Sequence, residues 1–160
     1  MTDRLREVEQ FVYREARFQD EHDYDAWEAL WTDDAIYWVP ANGADTDPTT
    51  QMSVLFDNRA RIATRIKQLH TGKRHSQTPR SDLRRLVSNV ELLDAHPDLP
   101  DDIAVGANFL VCESRERGTV FWAGRSEYVL RDTADGLRMA RKKVILVDNE
   151  RPLHTLAFLI

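Results

Sequence analysis

A single cysteine, Cys112, stands in the whole chain, so no internal disulfide can form and no multi-cysteine metal framework can be built. That scarcity points to a reducing compartment, and the cytoplasm is the expected location. Nowhere do 18 or more apolar residues run together, so no membrane-spanning segment is expected. The opening Met1-Thr2-Asp3-Arg4-Leu5-Arg6-Glu7 is charged where a signal peptide would be apolar. An excess of positive charge is also missing. The formal net charge of −5 removes bulk attraction to phosphate backbones, which sets nucleic acid aside as a partner. The six glycines are scattered, with no G-x-G-x-x-G and no Walker-type loop, so no nucleotide cradle is visible.

What is present is an ordinary folding chain. With 160 residues, 42% hydrophobic and 31% charged, the expectation is one domain over residues 1–160, without linker or repeat. Leu5, Val8, Val12 and Ala16, widened by Phe11, predict a helix from about Asp3 to about Gln19, capped by Thr2. Asp23 followed by Tyr24, Trp27, Leu30 and Trp31 predicts a second, shorter helix closed by Thr32-Asp33-Asp34. The β-forming Ala35-Ile36-Tyr37-Trp38-Val39 predicts a short strand ending at Pro40, at an edge or bend. A polar loop of about a dozen residues follows from Pro40 to Gln51, then a third helix carrying Leu55, Asn58, Ile62, Ile66 and Leu69, stopped by Gly72.

From there the helical period gives way to alternation. Strands are predicted from Arg80 to Leu93, through Ile103 to Val111, from Thr119 to Arg131 and from Leu137 to Val147, with turns at Glu116-Arg117-Gly118 and Ala134-Asp135-Gly136. Two hairpins in succession make an antiparallel meander. Gly106 and Gly124 fall inside strands, where bulges or bends are expected, so the sheet should curve. The apolar ending Leu153-His154-Thr155-Leu156-Ala157-Phe158-Leu159-Ile160 predicts burial, as a last strand or in an interface. The fold class is α+β, three helices packed on a curved antiparallel sheet.

Residues that could carry chemistry are few. Rieske clusters need two cysteines and two histidines, and a mononuclear iron site needs two histidines with a carboxylate. Against Cys112 there are five histidines, His22, His70, His75, His96 and His154. His96-Pro97-Asp98 has a ligand-like spacing but sits in an acidic, proline-rich turn, and His70 and His75 share no helical face. Cys112 is read as a small, partly buried hydrophobe on the strand face opposite Val105 and Phe109. The run Arg138 to Lys143 alternates between strand faces and is read as a solvated or ion-paired edge. Trp27, Trp31, Trp38 and Trp122 are read as core or interface anchors. No G-x-S-x-G or H-E-x-x-H occurs. No catalytic, cofactor-binding or metal-ligating residue is therefore assigned to this chain.

Tyr13-Arg14-Glu15-Ala16-Arg17, Asp25-Ala26-Trp27 and Asp33-Asp34-Ala35-Ile36-Tyr37-Trp38-Val39-Pro40 resemble the opening of the small (β) subunits of aromatic-ring-hydroxylating dioxygenases. Asn58-Arg59, Arg65-Ile66, Arg85-Leu86-Val87-Ser88-Asn89-Val90, Gly124-Arg125-Ser126-Glu127-Tyr128 and Arg141-Lys142-Lys143-Val144-Ile145-Leu146 continue the resemblance in order along the chain. It implies a cone-shaped fold of the nuclear transport factor 2-like (cystatin-like) type. It also implies a large α subunit as partner, bearing the Rieske [2Fe-2S] cluster and the mononuclear iron, with electrons from NADH or NADPH through a reductase. A trimer of small subunits within an α3β3 assembly and a cis-dihydrodiol product follow from the same resemblance. The opening is nearer the benzoate-type members, which implies an aromatic carboxylate as substrate.

On this reading the chain is a non-catalytic structural subunit, with the Pro40 to Gln51 loop and the apolar tail as contact regions. Loss of Leu156 to Ile160 is then expected to reduce assembly. Two alternatives are an unrelated assembly module and a stand-alone dehydratase or isomerase of the same cone fold. The enzyme would need an acid and a base facing each other inside the cone, for instance Tyr13 with Asp34 or His75.

Overall fold

The computed structural model describes residues 3–44, 47–71, 80–148 and 158–160. Helix α1 spans Asp3–Asp20 and buries Val8, Phe11, Val12, Glu15, Ala16 and Gln19, one stripe at spacings of three and four. It ends without glycine. His22 takes the left-handed conformation at φ 55°, Asp23 N–H reaches back to the Phe18 carbonyl at 2.9 Å, and His22 N–H to that of Gln19 at 3.3 Å. Asp23 then caps the short α2, Tyr24–Glu28, accepting from Ala26 N–H at 3.3 Å. The second helix is shorter than its sequence pattern predicts. Trp31 already belongs to strand β1, Trp31–Pro40, because its inward side chain packs on Trp27 and Tyr37 with ring centroids 5.4 and 5.5 Å apart.

The segment predicted to open the third helix is instead a strand. β2 is Ser53–Asn58, antiparallel to β1, and α3 begins only at Arg59 and runs to Thr71. Leu55 and Asp57 point inward and Val54 and Phe56 outward, a period of two that the helical stripe conceals. Asn58, read from sequence as a helical position, is the cap: its side-chain oxygen accepts from Arg61 N–H at 2.9 Å. Gly72 and Thr2 lie outside the described residues.

The meander is as predicted: β3 (Asp82–Leu92), β4 (Ile103–Arg115), β5 (Gly118–Thr133) and β6 (Gly136–Leu146), antiparallel in succession. Its two hairpins turn at Gly118 and Gly136, both at positive φ. The sheet order is β2-β1-β6-β5-β4-β3, so β1 is no edge strand. It joins β6 in parallel, the one departure from an antiparallel sheet. Gly106 and Gly124 sit in the unbroken β4–β5 register, while on its other side Gly106 pairs with Glu91 at the edge of an irregularity in the β3–β4 ladder. Asn89 and Val90 form a bulge in β3, with Asn89 at φ 55°, and a second irregularity falls at Ala140 in β6 opposite Val129/Leu130. Gly124 answers a packing need: a Cβ there would lie 2.4 Å from the Ile145 carbonyl oxygen and 2.9 Å from Phe109 Cζ.

The helices and the inner sheet face share one apolar core that includes Trp27, Tyr37, Ile62, Val105, Leu130 and Met139. The end of the chain belongs to it. Phe158, Leu159 and Ile160 are buried in this chain's own interior without strand pairing, and Leu153 to Ala157 of the apolar ending lie outside the described residues. Among the described residues no helix is long and apolar enough to cross a membrane.

Candidate functional site

The natural place for chemistry is the space between the helices and the curled sheet, and charged residues do converge there. Glu15, turned inward by the apolar stripe of α1, is 1% exposed. Its carboxylate accepts from Trp27 Nε1 at 2.8 Å, Tyr128 Oη at 2.9 Å and Lys142 Nζ at 2.7 Å. Burial pushes the Lys142 ammonium below its ordinary pKa, opposed by the attraction of Glu15. Burial, reinforced by the Glu15 charge, pushes the Tyr128 phenol well above its own.

A second pair lies beside the first. Arg85 on β3 meets Asp20 at the end of α1, with Nε at 2.7 Å from Oδ1 and the backbone N–H at 2.9 Å from Oδ2. Its remaining nitrogens donate to Gln19 Oε1 at 2.9 Å and the Leu159 carbonyl at 3.2 Å. Tyr37, fully buried, donates its hydroxyl to the Ile160 main-chain oxygen and accepts from Ile160 N–H at 3.1 Å. The chain end is thus tied into the interior by polar contacts as well as apolar ones. Toward the far end of the sheet, buried Glu113 accepts from Ser81 Oγ at 2.5 Å, Trp122 Nε1 at 3.1 Å and Arg115 Nε at 2.9 Å.

The charged groups satisfy one another, the Gln19 Nε2 amide is left without a partner among the described residues, and little room remains. The space bounded by Glu15, Gln19, Arg85, Tyr128, Lys142 and Ile160 amounts to about 10 Å³, roughly one water molecule. Three of the roughly four lone-pair sites of the Glu15 carboxylate are taken, and one of the three donors is an ammonium that holds its charge. The arrangement holds elements together.

The acid and base proposed from sequence are not brought into that space. Tyr13 is 42% exposed on the outer side of α1. Asp34 lies at the surface, where hydrogen bonds from Thr32 at 2.7 Å and Arg131 at 3.0 Å hold its carboxyl below the ordinary range. His75 and His154 lie outside the described residues. The other histidines are separate: His22 contacts the Ser81 carbonyl at 2.8 Å, His70 contacts Asp25 at 2.8 Å, and His96 accepts from Asp98 N–H at 3.1 Å. Among the described residues no three histidine, cysteine, aspartate or glutamate side chains gather as a metal site. With one thiol in the chain, the donor set does not fit a Rieske cluster.

Three of the four tryptophans, Trp27, Trp31 and Trp122, are buried, and Trp38 lies half-buried on the outer sheet face. Sequence reasoning missed Glu15, Lys142, Arg85 and Asp20. For Glu15 the signal was available: it stands three residues after Val12 and four after Phe11, squarely in the buried stripe.

Residues 14–151 match the model of a family described as ring hydroxylating beta subunit. The small oxygenase component of the p-cumate 2,3-dioxygenase system of Pseudomonas putida is 30% identical over 142 residues, covering 88% of this chain and 77% of that protein. Among solved structures, the β subunit of benzoate 1,2-dioxygenase from Burkholderia mallei matches with a TM-score of 0.71 at 25% identity, covering 87% of each chain. A protein of cystatin-like fold from Novosphingobium aromaticivorans, described as ntf2-like, matches with a TM-score of 0.61 at 18% identity over 91% of this chain and 82% of that one, a likeness of fold alone.

Proposed function

The chain belongs to the ring hydroxylating beta subunit family, and from that premise we propose that it is the structural, non-catalytic small subunit of an aromatic-ring dioxygenase. The observation that carries this reading is the filled cone. Where the fold could hold a substrate, this chain holds two buried ion pairs and its own last residues.

In this role the chain's residues bind no cofactor. The partner α subunit bears the Rieske [2Fe-2S] cluster and the mononuclear iron, and NADH or NADPH supplies electrons through a reductase. What this chain contributes is a rigid body. The Glu15–Lys142 pair fastens α1 to β6, Arg85 fastens β3 to the end of α1, and the Tyr37–Ile160 contact fastens the chain end to β1. Three such bodies would form the platform of an α3β3 assembly. The relatives named for p-cumate and benzoate support a single-ring aromatic carboxylate as substrate, converted to a cis-dihydrodiol.

The test is co-expression with the cognate large subunit. The isolated small subunit should hold no stoichiometric iron and produce no diol, whereas the mixed assembly should do both. Turnover of an aromatic carboxylate by this chain alone would overturn the reading.

A further inference from the structure

The charges inside the cone pair off, and one polar group among them is left over. Gln19, near the end of α1, is 2% exposed, and its Nε2 amide has no hydrogen-bond partner among the described residues. A buried N–H without a partner bears the full cost of its lost hydration. Turning the amide over does not remove that cost. Gln19 Oε1 accepts from Arg85 Nη1 at 2.9 Å, and exchanging the two ends of the amide would set one donor against another. Arg85 is itself fixed, with Nε at 2.7 Å from Asp20 and Nη2 donating to the Leu159 carbonyl at 3.2 Å.

The cavity of about 10 Å³ beside Gln19 has the groups to supply the missing partner. Glu15, Ser126 and Lys142 line it together with Gln19, and all are buried. Trp27, Tyr128 and Lys142 use three of the roughly four lone-pair sites of the Glu15 carboxylate, which leaves one position that can accept. The Lys142 ammonium has donors beyond the one it gives to Glu15. An occupant must therefore accept on one side and donate on the other. A metal cation would face an amide N–H, an ammonium and a guanidinium, an anion would lie against the Glu15 carboxylate, and an organic molecule exceeds the volume.

We propose that this cavity is a binding site for a single water molecule, which accepts from Gln19 Nε2 and donates to the remaining position of Glu15. A buried water needs about two to four polar partners, and Gln19, Glu15, Ser126 and Lys142 supply them. The water completes a chain from Lys142 through Glu15, Gln19 and Arg85 to Asp20. The pair that fastens α1 to β6 and the pair that fastens α1 to β3 then belong to one network. The site lies wholly within this chain and does not depend on a large subunit.

Crystallography of the full chain, at a resolution that shows ordered waters, is the test. One water-sized peak is expected within about 3.2 Å of both Gln19 Nε2 and a Glu15 carboxylate oxygen, with no anomalous signal there after a bromide soak. An empty cavity would overturn the proposal, as would a Gln19 amide that reaches a protein acceptor instead. A bromide peak would also overturn it, by assigning the cavity to an anion. Gln19→Met keeps the length of the side chain and removes the donor, so the peak should be lost. A water that stays in place in that variant would show that Gln19 does not hold it. The wild-type chain gives a second reading in solution, independent of whether the variant folds. Its Gln19 side-chain amide protons should show an NMR cross-relaxation peak at the water frequency, and the absence of that peak would count against the site.

Discussion

Two regions of this molecule use the same residue types to opposite ends. Inside the curled sheet, Lys142 and Arg85 are each within 2.7 Å of a carboxylate and almost wholly buried. On the outer face, one residue along β6 from Lys142, Lys143 is half-buried and faces an acid across the ladder without pairing to it. The difference is dielectric. An ion out of water must find its counter-ion or lose its charge, whereas a half-solvated ion can remain single. Buried charge in this protein is paired, whereas half-solvated charge is paired at Arg131 and, among the described residues, left without a carboxylate at Lys143.

The comparison breaks most sharply at the buried pair. Lys142→Met should destabilise the chain by about 3–5 kcal/mol, because it leaves the Glu15 carboxylate buried without its cation. Removing both charges together, Glu15→Leu with Lys142→Met, should recover most of that loss. Urea unfolding of the three proteins checks both, and equal destabilisation by single and double variants would mean that packing, not charge, sets the cost.

Ile160→Ala should cost about 2–5 kcal/mol by the same measurement, as expected for a large aliphatic residue cut back in a packed core. A tail that served an outside partner would instead leave the isolated chain's stability unchanged. Deletion of Leu156 to Ile160, expected from sequence to impair assembly, should act first by loosening the fold.

Tyr128→Phe should cost about 1.5–3 kcal/mol through the lost hydrogen bond to a carboxylate, and it should also flatten the alkaline limb of the stability profile. Burial holds the Tyr128 and Tyr37 phenols protonated above the ordinary value of 10.0. Their stabilisation is therefore complete below pH 10.0 and lost as pH rises past it, because the unfolded chain then ionises first. Lys142 works the other way. Its depressed pKa lets stability rise with pH up to the ordinary lysine value of 10.5. Two tyrosines against one lysine should give a net decline above pH 10.0 in wild type, read by thermal midpoints across an alkaline series.

The smallest effect belongs to the surface. Arg131→Ala, despite its two carboxylates, should change stability by about 0.2–1 kcal/mol, because the pairs are partly solvated and salt-screened. A loss of several kcal/mol there would erase the contrast between the two regions.

How much of this was legible in the sequence depends on whether a local period survives into the fold. The stripe of α1 and the meander from Asp82 to Leu146 were readable because their periods run over many residues, with single breaks at Asn89/Val90 and Ala140 too short to hide the strands. β2 was not, since Leu55 fits a helical stripe and a strand equally well and only pairing with β1 decides. Lys142 was hidden for a different reason. Counted from Leu137 and Met139, alternation sends it to solvent. The irregularity at Ala140 shifts the register by one, so that Lys142, Val144 and Leu146 turn inward and Arg141 and Lys143 outward.

By itself the sequence determined the fold class, the order of most elements, the poverty of metal donors and, through motifs spread along nearly the whole chain, the family. Those properties are sums over local composition and periodicity. Only the tertiary structure decided which charges are interior, that the cone is filled by paired ions and by Ile160, and that Lys143 turns outward over Trp38. Each of these depends on side chains far apart in sequence, Glu15 with Lys142 and Tyr37 with Ile160, and a single shift in strand register is enough to exchange one face for the other.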